Sequence, residues 1–129
     1  MIFEYWMLFG AAVLGVVHIS ASSFTFKTQI GNAYTVSARD IAVSRAGVAG
    51  RCERAQANFQ ETFPIFVALV FLLDGTGTMG DLSRWGSGAY LVGRVIYLPL
   101  YAAGVPWIRT FAWYFATLGL VLTGVQVIL

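Results

Sequence analysis

The chain has 129 residues, of which 58% are hydrophobic and 11% are charged, and its formal net charge at pH 7 is +2. A soluble domain carries roughly a quarter charged residues, so this composition argues against a soluble domain and favours a membrane protein. The small net charge gives no reason to expect nucleic acid as a partner, and one cysteine and one histidine predict neither an internal disulfide nor a metal site.

Hydropathy divides the chain into four apolar segments, each able to supply the about 20 residues that a membrane helix needs. The start of the first segment holds Glu4 rather than a basic residue, so we expect this segment to be a retained anchor and not a cleaved signal. The expected spans are residues 3–24, 50–73, 85–103 and 107–129. We predict one domain over residues 1–129 with an all-α fold, an integral membrane four-helix bundle embedded in the lipid bilayer.

The basic residues predict the orientation of this multi-pass protein. The N-terminal tail has none, and the loop between the second and third spans has only Arg84. The first and third loops, with the helix ends beside them, hold Lys27, Arg39, Arg45, Arg51, Arg54 and Arg109. Because cytoplasmic loops carry an excess of lysine and arginine, the first and third loops are predicted to be cytoplasmic and both termini to lie outside the cytoplasm.

Two polar stripes stand out within the expected spans. In the second span, Arg51, Arg54, Asn58 and Glu61 follow the spacing i, i+3, i+7 and i+10, which places them on one helix face. In the third span, Arg94, Tyr97 and Tyr101 follow the spacing i, i+3 and i+7. Because a charged side chain at membrane depth costs about 2.5–3.5 kcal/mol, the two stripes are expected to face each other across a pocket that opens toward the cytoplasm.

Two interpretations of these stripes remain open. In the structural one, Glu61 neutralises Arg94 and the tyrosine hydroxyls bind backbone carbonyls, so that the residues only hold helices together. In the functional one, the excess of arginine over acid selects an anionic ligand. Arginine binds carboxylates, glutamate takes an ammonium group, and asparagine both donates and accepts. A small zwitterionic peptide with extra carboxylates fits this set, and a nearby arginine favours the thiolate of a thiol-bearing peptide.

The run from Arg51 to Pro64 resembles the pattern R-A-x-x-N-x-x-E-x-x-P of the MAPEG superfamily, the membrane-associated proteins in eicosanoid and glutathione metabolism. Further matches are Ala38-Arg39-Asp40 in the first loop, Arg94-x-x-Tyr97-x-x-x-Tyr101 in the third span, and Gly104-x-Pro106-x-x-Arg109, which is similar to the turn of bacterial members. The resemblance covers the chain from about residue 35 to its end. It implies a bacterial-type member, with the bacterial inner membrane as the expected location.

The family fold is a homotrimer of four-helix bundles that bind glutathione as a co-substrate between adjacent subunits, near the cytoplasmic surface. The resemblance implies that the chain binds itself and a lipophilic small-molecule substrate. It implies glutathione-binding roles for Arg54, Gln56, Asn58, Glu61, Arg94, Tyr97 and Tyr101, where the position of Gln56 reaches the neighbouring subunit's site.

The resemblance implies Arg109 as the catalytic residue, and the excess of arginine beside the tyrosines adds Arg51 as a second candidate for stabilising negative charge. Members like leukotriene C4 synthase activate the thiol with an arginine at the start of the fourth helix, and Ile108 occupies the strictly equivalent place in this chain. The same branch has a tyrosine where this chain has Thr62. We therefore carry two hypotheses: a glutathione transferase or peroxidase acting on lipophilic electrophiles or lipid hydroperoxides, and a non-catalytic lipid- or glutathione-binding or accessory subunit of a larger membrane complex.

Overall fold

A computed structural model describes all residues 1–129, and it is all-helical without β-strands. Its four long helices are joined by short turns and one longer loop, which contains a fifth, one-turn helix. The elements are α1 (Phe3–Ile30), α2 (Asn32–Thr35), α3 (Gly47–Thr76), α4 (Asp81–Ala102) and α5 (Pro106–Ile128). Two ends of the molecule are distinguished below. The terminal end contains the starts of α1 and α4, and the loop end contains α2 and the starts of α3 and α5.

The helices extend beyond the expected spans because backbone hydrogen bonding continues through polar residues. α1 reaches Ile30, where Gly31 (φ +94°) ends it, and α3 reaches Thr76, where Gly77 adopts the left-handed conformation. Glycine adopts positive φ without steric cost, so each of the two helices ends at a glycine in that conformation. The connection between the first two expected spans, residues 25–49, is accordingly helical at both edges and contains α2.

Three helices, α1, α3 and α5, are long and apolar enough to cross a membrane. α4 is not among these three, and Arg94, three tyrosines and small glycine and serine residues lie along it. Large apolar side chains cover the outer surface, among them Phe71 (74% exposed), Trp85 (76%) and Phe111 (66%). An apolar surface this continuous is typical of a protein surrounded by lipid.

The packing between α4 and α5 depends on small residues. A Cβ atom on Gly119 would lie 2.5 Å from the carbonyl oxygen of Gly86, and one on Gly93 would lie 2.8 Å from the Cβ of Ala116. The two backbones therefore touch, as small residues allow in membrane helices. This seam fixes the rotation of α4, and thereby the direction in which its tyrosines point.

The interior between α1, α3 and α4 is aromatic. The ring of His18 stacks on Phe59 at 4.7 Å, and the ring of Phe66 lies 4.4 Å from that of Tyr90. The Tyr90 hydroxyl shares a 2.9 Å hydrogen bond with Thr62. These contacts hold α3 against α1 and α4, next to the polar stripes.

Candidate functional site

The polar stripe of α3 begins with an anchoring contact at the loop end. Arg51 is half-buried, and its Nε donates a 2.8 Å hydrogen bond to the carbonyl of Ala102 at the end of α4. Its side chain also lies beside Gly104 in the turn that leads to α5. Arg51 thus connects α3 with the α4–α5 turn, and its Nε is already used by this contact.

One tyrosine lies between two arginines from different helices. The Nε of Arg54 donates to the hydroxyl of Tyr101 at 3.2 Å, and the guanidinium carbon of Arg109 lies 4.4 Å from the centre of the same ring. Ile108, by contrast, is 59% exposed and points away. The side chain that α5 brings to the tyrosine is therefore that of Arg109, although Ile108 holds the position expected for the arginine.

Arg94 lies behind the site rather than in it. It is 1% exposed, and its guanidinium carbon lies 4.4 Å from the ring of Tyr97 and 5.5 Å from that of Phe59. Its Nη1 donates a 2.7 Å hydrogen bond to Oδ1 of Asn58, while Nε and Nη2 have no partner. Because the amide oxygen of Asn58 is occupied in this way, its NH₂ group is left to donate to a ligand.

A groove of about 220 Å³ runs between α3, α4 and α5 at this point. Asn58 forms the α3 wall, Tyr97 and Tyr101 form the α4 wall, and Arg109 forms part of the α5 wall. The remaining lining residues are Thr110, Trp113 and Tyr114. The structure thus brings together five of the residues predicted for the site, since Arg54 contacts Tyr101 from the groove's edge.

Two further residues predicted for the site do not line this groove. Glu61 is exposed and forms no ion pair, and Gln56 is half-buried on another part of α3. The one ion pair of the structure joins Arg45 and Glu53 at 3.3 Å. The interpretation in which Glu61 pairs with Arg94 therefore has no contact to support it within a single chain.

A second, larger cavity of about 490 Å³ lies at the loop end next to the groove. Arg39, Arg45 and Arg54 line it together with Glu53, so its charge is predominantly positive. Arg45 is held over the ring of Phe26 at 4.4 Å. The two cavities meet at the hydrogen bond between Arg54 and Tyr101, which makes the loop end a continuous basic surface.

Sequence reasoning did not select the groove residues Thr110, Trp113 and Tyr114. The signal for them was present, because Arg109 and Trp113, like Thr110 and Tyr114, are separated by the i, i+4 spacing of one helix face. Trp113 and Tyr114 place aromatic rings in the same groove as the guanidinium of Arg109.

Together these features define a class of protein: an all-helical membrane protein with a basic, aromatic-walled groove between three helices at one end of the molecule. Guanidinium groups and an amide NH₂ at such a place bind carboxylates and stabilise an anionic sulfur or oxygen. The family model described as "MAPEG family" matches residues 3–129, and the chain belongs to this family. A search of curated proteins found no match.

Proposed function

We propose that this protein is a glutathione-dependent transferase or peroxidase that acts on lipophilic electrophiles or lipid hydroperoxides within the membrane. The observation that carries the proposal is the contact of Arg54 and Arg109 with opposite parts of Tyr101, next to the donor face of Asn58. Membership of the MAPEG family supports it, because this family includes glutathione transferases and peroxidases among other members.

Three polar side chains of the site have a direct role in this proposal. Arg54 and the NH₂ group of Asn58 bind the carboxylates of glutathione, and Arg109 holds the thiol as a thiolate. In the transferase reaction the thiolate sulfur forms a bond to an electrophilic carbon, and the displaced group leaves with the electron pair. In the peroxidase reaction two glutathione molecules are oxidised to the disulfide, while the hydroperoxide is reduced to an alcohol and water.

We propose that the site is completed in a homotrimer of four-helix bundles, with all four long helices crossing the membrane. Glu61 supports this, because it is an exposed carboxylate on a helix that is apolar enough to span the bilayer. An unpaired charge facing lipid is costly, and a neighbouring subunit or the ammonium group of bound glutathione removes that cost. Gln56, on another part of α3, is then available to the adjacent subunit's site.

The proposed location is the bacterial inner membrane, with the loop end in the cytoplasm and both termini outside. The distribution of basic residues supports this orientation, because the loop end carries Arg39, Arg45 and Arg54 while the terminal end carries Arg84 alone. Glutathione would then enter from the cytoplasm, and the lipophilic substrate would enter from the bilayer.

A conjugation assay and a peroxidase assay with purified protein test the proposal. A chlorinated dinitrobenzene serves as the electrophile and an organic hydroperoxide as the oxidant, each with glutathione. We expect Arg109→Ala to lower kcat by about 100-fold, as for loss of one group that stabilises a developing charge. We expect Arg54→Ala to raise the Kd for glutathione by about tenfold, a loss of about 1.4 kcal/mol.

Lys27→Ala is the matched control, because Lys27 is an exposed cation at the end of α1 that lines neither cavity of the loop end. It should leave both constants unchanged. If Arg54→Ala and Arg109→Ala retain the activity of the unchanged protein, the proposed function is wrong.

The second candidate is a non-catalytic lipid- or glutathione-binding or accessory subunit. The feature that favours it is Thr62, which stands where members like leukotriene C4 synthase have a tyrosine. Thr62 has no phenol to offer a ligand, and its hydroxyl shares a hydrogen bond with Tyr90. A stable heteromeric complex with no heat of glutathione binding by calorimetry would support this candidate. A homotrimer that binds glutathione would count against it.

A further inference from the structure

A second built trough lies at the terminal end, opposite the proposed glutathione site. Three adjoining cavities share Phe3 and Arg84 and together run from the helix ends along the face between α1, α4 and α5. The outermost cavity, of about 460 Å³, is lined by the charged residues Glu4, Asp81 and Arg84 together with the apolar residues Ile2, Phe3 and Met79. The innermost, of about 320 Å³, is lined almost entirely by apolar residues: Phe3, Met7, Trp85, Ala89, Val92 and Phe115. The charged side chains thus gather at the outer end of the trough, and its inner end is apolar.

The outer end of the trough presents unpaired charges of both signs. Glu4 is 3% exposed, and its Oε1 accepts a 2.6 Å hydrogen bond from Ser83, while no hydrogen bond occupies its other oxygen. Asp81 and Arg84 are exposed at the start of α4, and neither forms an ion pair. A buried carboxylate that lines a cavity without a cationic partner is costly unless a ligand brings the cation.

The inner end of the trough has the dimensions of an acyl chain. From Arg84 to Val92 the helix rises about 12 Å at about 1.5 Å per residue, which is a large part of one leaflet's hydrocarbon depth of about 15 Å. Gly88 forms part of the wall, and a Cβ at this position would lie 3.5 Å from the ring of Phe3. Trp85 is 76% exposed beside the rim, where an indole ring marks the boundary between headgroups and hydrocarbon.

We propose that this trough binds one zwitterionic glycerophospholipid whose head group ends in a primary ammonium. Arg84 binds the phosphate, the carboxylates of Glu4 and Asp81 bind the ammonium, and an acyl chain lies against Gly88 and Val92. A primary ammonium donates three hydrogen bonds, whereas a quaternary ammonium donates none and a glycerol head group carries no positive charge. The charges of the trough therefore select among head groups.

Native mass spectrometry of the delipidated protein, titrated with lipids of identical acyl chains, tests this proposal. The three lipids are phosphatidylethanolamine, phosphatidylcholine and phosphatidylglycerol. We expect phosphatidylethanolamine to bind about tenfold more tightly than the other two. Glu4→Gln should remove most of this preference, because glutamine keeps an oxygen for Ser83 but loses the charge. Arg84→Gln should weaken the binding of all three lipids, and Gly88→Leu should prevent the acyl chain from entering the trough.

Lys27→Gln is the matched control for Arg84→Gln, because both remove an exposed cation near a helix end and Lys27 lies at the opposite end of the molecule. It should change none of the affinities. Equal binding of the three lipids, or unchanged binding in both Arg84→Gln and Gly88→Leu, would overturn the proposal. So would a result in which Gly88→Leu instead dissociates the oligomer, because the trough would then be a contact between subunits. These outcomes are independent of glutathione binding, which is measured at the other end of the chain.

Discussion

The two ends of the molecule both gather polar side chains, but they use them differently. At the terminal end, Gln126 of α5 accepts a hydrogen bond from the backbone amide of Leu82 and donates one to the carbonyl of Thr78, and Ser83 binds Glu4. At the loop end, the guanidinium groups of Arg54 and Arg109 contact an aromatic hydroxyl and an aromatic ring, which leaves most of their N–H groups free.

Polar groups that cap a helix end have their hydrogen-bonding capacity used within the protein, whereas polar groups of a binding site keep donors free for a ligand. An amide side chain such as Gln126 has one acceptor and two donors, and its contacts with Leu82 and Thr78 use an acceptor and a donor of that inventory. A guanidinium has five N–H donors, so one hydrogen bond leaves four for another partner. Counting the unused donors, rather than the polar residues, therefore identifies Arg54 and Arg109 as free to bind a ligand at the loop end, as Arg84 is in the trough of the terminal end.

The contact between α4 and α5 runs between the two ends of the molecule. Breaking it should have the largest effect on stability of the changes considered. A Cβ on Gly119 would lie 2.5 Å from the carbonyl oxygen of Gly86 and 2.6 Å from the amide nitrogen of Tyr90, so Gly119→Ala forces two backbones apart. We expect a loss of about 3 kcal/mol in stability. Thermal unfolding in detergent measures this as a lower Tm, together with a loss of glutathione binding.

Gly124→Ala on the same helix is the matched control for Gly119→Ala. A Cβ at Gly124 would lie 3.8 Å from the nearest atom, a side-chain carbon of Leu69, which is an ordinary contact. Its Tm should match that of the unchanged protein. If the two variants unfold at the same temperature, the seam does not hold the helices as described.

Arg94→Met is expected to separate ligand binding from stability. Methionine fills the space near Tyr97 and Phe59 but removes the 2.7 Å hydrogen bond that fixes the amide of Asn58. We expect the Kd for glutathione to rise by about tenfold, or about 1.4 kcal/mol. The Tm should stay the same or rise, because a buried guanidinium with two unpartnered nitrogens is costly to keep in the interior.

Calorimetry measures the affinity of the Arg94→Met variant, and Asn58→Ala provides the comparison. If Arg94 acts by positioning Asn58, the double variant should bind glutathione as weakly as Asn58→Ala alone. Additive losses in the double variant would contradict the positioning role and would favour a direct contact of Arg94 with the ligand.

Much of the fold could be predicted from hydropathy alone, because membrane helices need long apolar runs and few other structures span a bilayer. The helix ends could not be predicted in this way. α4 begins at Asp81 rather than Trp85, since Ser83 caps the helix by accepting from the amide of Gly80. Hydropathy is insensitive to such hydrogen bonds, and it therefore places the start of the helix at the first strongly apolar residues.

The candidate site could be predicted to the level of helix faces and no further. The spacing of Asn58, Tyr97 and Tyr101 predicted that they meet, and all three line one groove. The same spacing did not predict that Arg94 lies behind Asn58, or that Glu61 faces outward. Those outcomes depend on how far each helix is rotated about its axis. The glycine contacts with α5 fix the rotation of α4, and the aromatic contacts of Phe59 and Phe66 fix that of α3.

A pair of tyrosines tests the smallest expected difference between polar groups that bind a ligand and polar groups that only hold two helices together. Tyr101 and Tyr90 both lie on α4 and both share a hydrogen bond with α3, at 3.2 Å to Arg54 and at 2.9 Å to Thr62. Each replacement by phenylalanine removes one hydroxyl, worth about 1 kcal/mol. We expect Tyr101→Phe to raise the Kd for glutathione by about fivefold with little change in Tm, because Arg54 loses the group that orients it. Tyr90→Phe should lower Tm and leave the Kd unchanged, because its hydroxyl lies outside the groove. Equal effects of the two variants on both measurements would mean that the polar contacts of α4 form one structural network, without a separate binding surface.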